Sequence, residues 1–315
     1  QRTESQLLGF PNDERPERQR RAGASRTEGG VQARRPLERV VQTEPPPEAV
    51  ASTERQPTRF FANGNFYTLD RKARFIAIRP TAEIRTTPDF PLILNTGRIR
   101  DHWHTMTRTG KSPRLSQHIA EPFVEIHPVD AQHHGIDDAD IVRISSSRGD
   151  VLVRALITPR QRRGSIFAPM HWTDQFAAKG RLDALTAPLI DPVSGQPALK
   201  HVAARIEKFA AKAFGFAVMR SRPAAIAADY WAVARCKGGW RVELAFADDA
   251  DWTAFAGSLF DAPLAEMLAY HDHDAGQHRI AAFDGDQLAG ALFVAPGPVA
   301  VSRGWAAEQL EEVHA

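Results

Sequence analysis

Between residue 90 and about residue 209 the apolar positions come in short runs, each broken within a few residues by glycine, proline, aspartate or serine. Pro91-Leu-Ile-Leu-Asn95 is one such run. Residues 123–126, 140–145, 151–157 and 165–168 supply four more, rich in the β-branched and aromatic residues that suit a pleated surface. Pro128-Val-Asp-Ala-Gln-His-His134 differs: it opens on proline, whose fixed φ suits a first helical turn, and Gly135 stops it, so a short helix is expected. Arg148-Gly-Asp150 reads as a hairpin turn. Many short strands, close turns and little helix predict a closed β-barrel over residues 90–210.

The pattern changes on both sides. Over residues 211–315, alanine-rich stretches at 223–235 and 252–269 are expected to be helical. They alternate with strands at 240–246, 280–283 and 288–295, the last two joined through Asp284-Gly285-Asp286, which makes a small α+β segment. Residues 58–89 read as a lead-in hairpin, with Asn63-Gly64 as its turn signal and 72–78 alternating like a strand. Residues 1–57 hold no lasting hydrophobic period. Arginine, glutamate, proline, glycine and glutamine dominate there, which is the composition of a disordered segment. The fold class expected is therefore mainly β.

Composition narrows the chemistry. The single cysteine, Cys236, allows no disulfide framework, and an iron–sulfur cluster needs about four thiolates, so none is expected in this chain. Cys236 reads as an incidental thiol. No apolar run approaches the roughly 18 residues of a membrane span, so no membrane contact is expected. The formal charge of +2 hides an arginine-rich first fifth, but acids are mixed in and aromatics are not interleaved, so nucleic acid is not an expected partner. Arg20-Arg21 and Arg34-Arg35 lack the apolar segment that a twin-arginine export signal would place after them. Neither a Gly-x-Ser-x-Gly elbow nor a phosphate-binding P-loop occurs.

The densest chemistry lies in residues 96–111, Thr-Gly-Arg-Ile-Arg-Asp-His-Trp-His-Thr-Met-Thr-Arg-Thr-Gly-Lys, directly after the first apolar run. Gly97 lets backbone approach a ligand closely. Threonine hydroxyls, amides and the cations Arg98 and Lys111 suit phosphate oxygens, while Trp103 offers a flat face to a heterocycle. A large, anionic, partly aromatic ligand such as a dinucleotide fits this set. The bland alternative is a structured loop. His102 and His104 are spaced as a strand-borne metal pair, but no further ligand completes a site, so no metal ligand is expected. His133-His134 reads as a helix-end pair, and His271-Asp-His-Asp274 with His278 as a solvated loop.

The same run resembles the loop that opens the dinucleotide-binding domain of molybdopterin oxidoreductases. Its wording, Asn95-Thr-Gly-Arg and then Trp103-His-Thr-Met-Thr-Arg-Thr-Gly-Lys111, is most similar to bacterial assimilatory nitrate reductases. Three more segments follow in family order: Glu121-Pro-Phe-Val-Glu-Ile-His-Pro128, Phe167-Ala-Pro-Met-His-Trp172, and Asp191-Pro-Val-Ser-Gly-Gln-Pro197 leading to Lys200. The resemblance implies a double-psi β-barrel. It implies a molybdenum bis(molybdopterin guanine dinucleotide) cofactor, contacted through the dinucleotide only. Thr96, Gly97, Arg98, His102, Trp103, His104, Thr105, Lys111, His171, Trp172 and Lys200 would be its contacts. Asp183 joins them as a departure, because the family generally has an amide there, and an ionised carboxylate only accepts hydrogen bonds.

Whole family members carry a 4Fe–4S cluster and a molybdenum ligand in upstream domains, so the resemblance implies the C-terminal portion of a cytoplasmic, nitrate-assimilating enzyme. Alone it is expected to be inactive, with no catalytic residue of its own. Its partners would be the pterin dinucleotide and the missing N-terminal catalytic domains; no electron donor is indicated. Residues 1–57 are read as out-of-frame translation joined to a gene end. The rival readings are a non-catalytic binding module or assembly partner, and a portion of another molybdopterin oxidoreductase such as formate dehydrogenase.

Overall fold

The computed structural model describes residues 59–77, 85–192, 194–262 and 267–314; the expected disordered stretch, Ile78 and Val193 lie outside them. Residues 59–77 belong to a separate unit. Gly64 adopts φ +76° and its amide donates to Phe61 O, so the expected Asn63-Gly64 turn forms. The expected hairpin does not: residues 72–77 carry no strand, and Phe75 and Ile76 are fully or largely exposed. Alternation without a partner strand leaves the backbone unpaired and buries nothing.

The second unit begins with a closed barrel. Its strands are β1 (Leu92–Gly97), β2 (Phe123–Ile126), β3 (Ile141–Ser145), β4 (Asp150–Ile157), β5 (Ser165–Pro169) and β6 (Val202–Lys208), in the order β1-β5-β2-β4-β3-β6. The pairs β1–β5 and β2–β4 are parallel and the others antiparallel. Closure follows from the alternation: Leu92, Leu94, Val124, Ile126, Val142, Ile144, Val151, Val153, Ile166 and Ile206 all point into one core. Each such side chain contributes about 1.5–3 kcal/mol when fully buried. The helix α1 (Pro128–His133) starts on proline as expected, and Gly135 at φ +63° follows its end.

A six-stranded antiparallel sheet follows, ordered β10-β11-β12-β7-β9-β8. Its strands are β7 (Ala213–Met219), β8 (Tyr230–Cys236), β9 (Gly239–Phe246), β10 (Met267–Asp272), β11 (Gln277–Asp284) and β12 (Gln287–Ala295). The helices α2 (Trp252–Phe260) and α3 (Arg303–Glu308) accompany it. Two helical expectations need correction. Tyr230–Cys236 is strand, not helix, because Gly238 at φ +74° closes a tight turn that pairs it with β9, and pairing outweighs alanine's helical preference. The second helix ends at Phe260, where Asp261 turns left-handed at φ +54°, and strand resumes at Met267. The histidine cluster also differs from a solvated loop: His271 and His278 face each other across the β10–β11 ladder, and His278 is buried.

Cys236 is buried against Phe216, Leu288 and Ala306, and burial pushes its thiol up to about 11. In the folded chain at about pH 7.5, iodoacetamide is expected to label less than about a tenth of it, against complete labelling in denaturant, as mass spectrometry would show.

Candidate functional site

Because β1 and β5 run parallel with Thr96 beside Ala168 and Gly97 beside Pro169, both strands leave the barrel at the same end. Two loops, residues 98–111 and 170–181, therefore emerge side by side. The Met170 amide donates to Gly97 O at 3.0 Å where they part. Residues 182–192 and 194–200 close the third side and lead into β6, which pairs antiparallel with β1. The Thr96 hydroxyl donates to Leu199 O at 2.7 Å, and Lys200 Nζ donates to Thr96 O. A Cβ on Gly97 would fall 2.9 Å from the Phe167 ring, so any larger residue there would have to displace that ring.

The loop of residues 98–111 is held by His171. This side chain is fully buried, its Nε2 accepts from the Ile99 amide at 2.9 Å, and its Nδ1 lies 2.5 Å from His104 O. An imidazole that accepts at one nitrogen and donates at the other is neutral. Burial lowers its pKa, against the opposing hydrogen bond to His104. His104 and Met106 adopt φ +42° and +60°, conformations costly for non-glycine residues and here held by the buried Met106 side chain among Trp172 and Phe176.

Three elements enclose a cavity of about 220 Å³ lined by Thr96, Thr105, Met170, Trp172, Thr173, Arg181, Leu182, Asp183, Thr186 and Leu199. Trp172 is buried and forms an apolar wall. Asp183 is exposed, and Arg181 Nε pairs with its Oδ1 at 3.1 Å while Nη1 lies 3.7 Å from Asp174. Arg181 thus pairs closely with Asp183 and, at longer range, with Asp174.

Of the residues expected from sequence, the cavity gathers Thr96, Thr105, Trp172 and Asp183. Gly97 and Lys200 pack directly behind Thr96. His102 is buried, with its ring edge-on to Trp172 at 5.7 Å, and burial lowers its pKa. Trp103 is exposed, carries the Arg98 guanidinium over its face at 4.9 Å and touches His104 at 4.4 Å. Lys111 is exposed at the end of the short 3₁₀ turn Thr109–Lys111 and does not line the cavity. His171 supports the loop from beneath rather than facing the cavity. Met170, Thr173, Arg181, Leu182, Thr186 and Leu199 line the cavity without having been expected as contacts; Met170, inside the Phe167–Trp172 segment, and Thr173, next to it, had a sequence cue. Among the described residues no set of three or more histidines, cysteines or carboxylates is arranged to hold a metal.

Residues 92–203, which include every residue lining this cavity, match the family described as the molydopterin dinucleotide binding domain. That stretch of the chain is similar to a molybdopterin dinucleotide-binding domain. Over 138 residues it is 49% identical to a nitrate reductase of Klebsiella oxytoca, a match spanning 44% of this chain and 16% of that protein. An F420-dependent formate dehydrogenase alpha subunit of Methanococcus maripaludis is 42% identical over 120 residues, 38% of this chain and 17% of its own length. The assimilatory nitrate reductase catalytic subunit of Bacillus subtilis is 35% identical over 140 residues, 44% of this chain and 19% of its own length. The chain thus matches less than a fifth of the length of these relatives.

Proposed function

We propose that the chain forms the part of a molybdenum nitrate reductase that holds the guanine end of a molybdopterin guanine dinucleotide. The observation that carries this reading is the cavity at the shared end of β1 and β5, where Thr96, Thr105, Trp172 and Asp183 meet inside the matched domain. Its donor set fits one end of a dinucleotide: threonine hydroxyls and the Arg181 guanidinium suit phosphate and sugar oxygens, and Trp172 supplies an apolar wall. Its volume of about 220 Å³ suits one end rather than the whole molecule. Asp183 then has a positive role. A carboxylate accepts from adjacent N–H groups on the edge of a purine, and guanine presents such an edge while a phosphate does not.

When bound, the molybdenum cofactor supplies the oxygen-atom transfer that converts nitrate to nitrite. This chain's residues bind and orient its tail, and none of them takes part in the redox step. Trp103 and Arg98, exposed beside the cavity, offer a stacking surface to the more distal part of the ligand. The rest of the enzyme would supply the metal ligand, the cluster and the electron donor, and a cytoplasmic, assimilatory role is part of the same proposal. A second reading, a formate dehydrogenase portion, is favoured by the similarity to the Methanococcus maripaludis subunit.

Asp183→Ala removes the purine-edge acceptor and is expected to weaken dinucleotide retention by about 10–100-fold, the loss of a charge-assisted hydrogen bond of roughly 1.5–3 kcal/mol. The measurement is pterin fluorescence and nucleobase mass spectrometry on protein from molybdenum-replete cells. Equal guanine content in Asp183→Ala and the parent would overturn the assignment of Asp183. A bound cytosine nucleotide would overturn the guanine form.

A further inference from the structure

A cleft of about 410 Å³ lies between the barrel and the six-stranded sheet, and none of its lining residues is shared with the dinucleotide cavity. Its buried and partly buried charges come from both sides: Glu121 and Arg154 from the barrel side, Arg241 and Glu243 from β9, and Arg303 from α3. Three guanidiniums thus face two carboxylates. Asp138 lies at the exposed rim, where its carboxylate accepts from the Ile157 amide at 2.9 Å.

Both inner carboxylates are committed. Glu121 accepts from Arg154 Nε at 2.6 Å and from the Tyr230 hydroxyl at 2.7 Å. Glu243 accepts from Arg303 Nε at 3.0 Å and Nη2 at 2.8 Å. Arg241 is left over. Its Nη2 donates to Ser116 O at 2.7 Å, it makes no ion pair among the described residues, and its Nε is buried with no acceptor. Among the described residues this is the one buried side-chain polar atom without a partner. A guanidinium whose buried Nε has no acceptor is unfavourable even with Glu243 and Glu121 acting on it at longer range, and a cavity beside it leaves room for the missing acceptor.

We propose that this cleft binds a small planar oxyanion through the guanidinium of Arg241. Two oxygens in one plane match the fork of a guanidinium, and a modest rotation of the side chain presents Nε and one terminal nitrogen together. The excess inner charge is one, so a monoanion completes it. A dianion would set its second charge against Glu121 and Glu243. Ile119, Phe123 and Leu156 form the apolar part of the wall and lower the local dielectric there, which strengthens the pairing.

The test is calorimetric titration of the full chain with sodium acetate and, separately, sodium nitrate, at ionic strength held constant with chloride. One saturable site is expected, at least about tenfold weaker in Arg241→Met and about tenfold weaker for sulfate than for either monoanion. Gln117→Trp, at the exposed rim, leaves the buried charges untouched and is expected to block the site with an unchanged far-ultraviolet spectrum. It decides the matter if Arg241→Met does not fold. Acetate binding without nitrate points to an organic carboxylate as the occupant, and the reverse to an inorganic one. No saturable binding of either anion, or binding indifferent to both substitutions, overturns the proposal.

Discussion

Glu121→Ala is expected to destabilise the chain by about 3–5 kcal/mol, the cost of breaking a buried ion pair by removing one partner. The carboxylate sits where the barrel meets the second sheet and serves two buried groups at once, Arg154 of β4 and the hydroxyl of Tyr230 on β8. Tyr230 is fully buried, and burial followed by the charge of Glu121 raises its pKa well above the ordinary value, so it stays protonated and donates. Burial opposes the charge on Arg154, yet Glu121 outweighs it and the guanidinium titrates above its ordinary range. Without Glu121, Arg154 keeps its bond to Ala139 O at 2.8 Å and a distant Glu243 carboxylate at 3.9 Å, neither of which replaces a direct counter-charge. Glu121→Gln retains an acceptor and should cost less than half as much. Urea denaturation followed by tryptophan fluorescence measures both; equal stability of Glu121→Ala and the parent would mean that this pair does not tie the two sheets together.

That network was invisible in the sequence, and the reason is physical. Residues 121, 154, 230, 243 and 303 lie far apart along the chain, and a charged residue on a strand looks the same in sequence whether it meets solvent or a buried partner. The barrel was legible because most of its strands announce themselves locally: β2 matches its expected bounds, and β3, β4 and β5 differ by one residue at an end, while β6 was not expected. β7 was missed because Ala-Phe-Gly-Phe-Ala-Val-Met is buried at every position, so it carries no alternation to detect. β8 was misread because alanine's local preference for helix yields to pairing with β9. The loop of residues 96–111 stood out by residue type, but sequence could not distinguish residues that line the cavity from those that hold it open. Trp103 is exposed beside it, and His171 and His102 are packed inside the support. Arg181 and Thr186 come from a segment without a motif and reach the cavity only through closure of the third side.

His171→Leu is expected to cost about 2–4 kcal/mol, because it leaves the Ile99 amide and the His104 carbonyl without partners in a buried position. The loss should concentrate in the loop of residues 98–111, so amide exchange at Ile99 is expected to accelerate more than exchange in β2 or β4. The same geometry sets a pH response. Burial lowers the folded-state pKa of His171 below the ordinary 6.5, so the unfolded chain binds the proton more readily. The stabilisation is then complete above about pH 6.5 and is lost as pH falls towards the folded pKa. Protonation would also place a hydrogen on Nε2, facing the Ile99 N–H that it now accepts. Between about pH 8 and about pH 5, the Ile99 amide should therefore lose protection in the parent, after correction for intrinsic exchange, and change little in His171→Leu. His102 shifts in the same direction, also through burial, and contributes to the same window, so the double comparison with His102→Asn separates the two. Equal pH dependence in the parent and His171→Leu would show that the loop is held by the Met106 and Trp172 packing and not by the imidazole. In that case the left-handed turn at residues 104–106 would keep its shape at acid pH, with Thr105 still at the cavity wall.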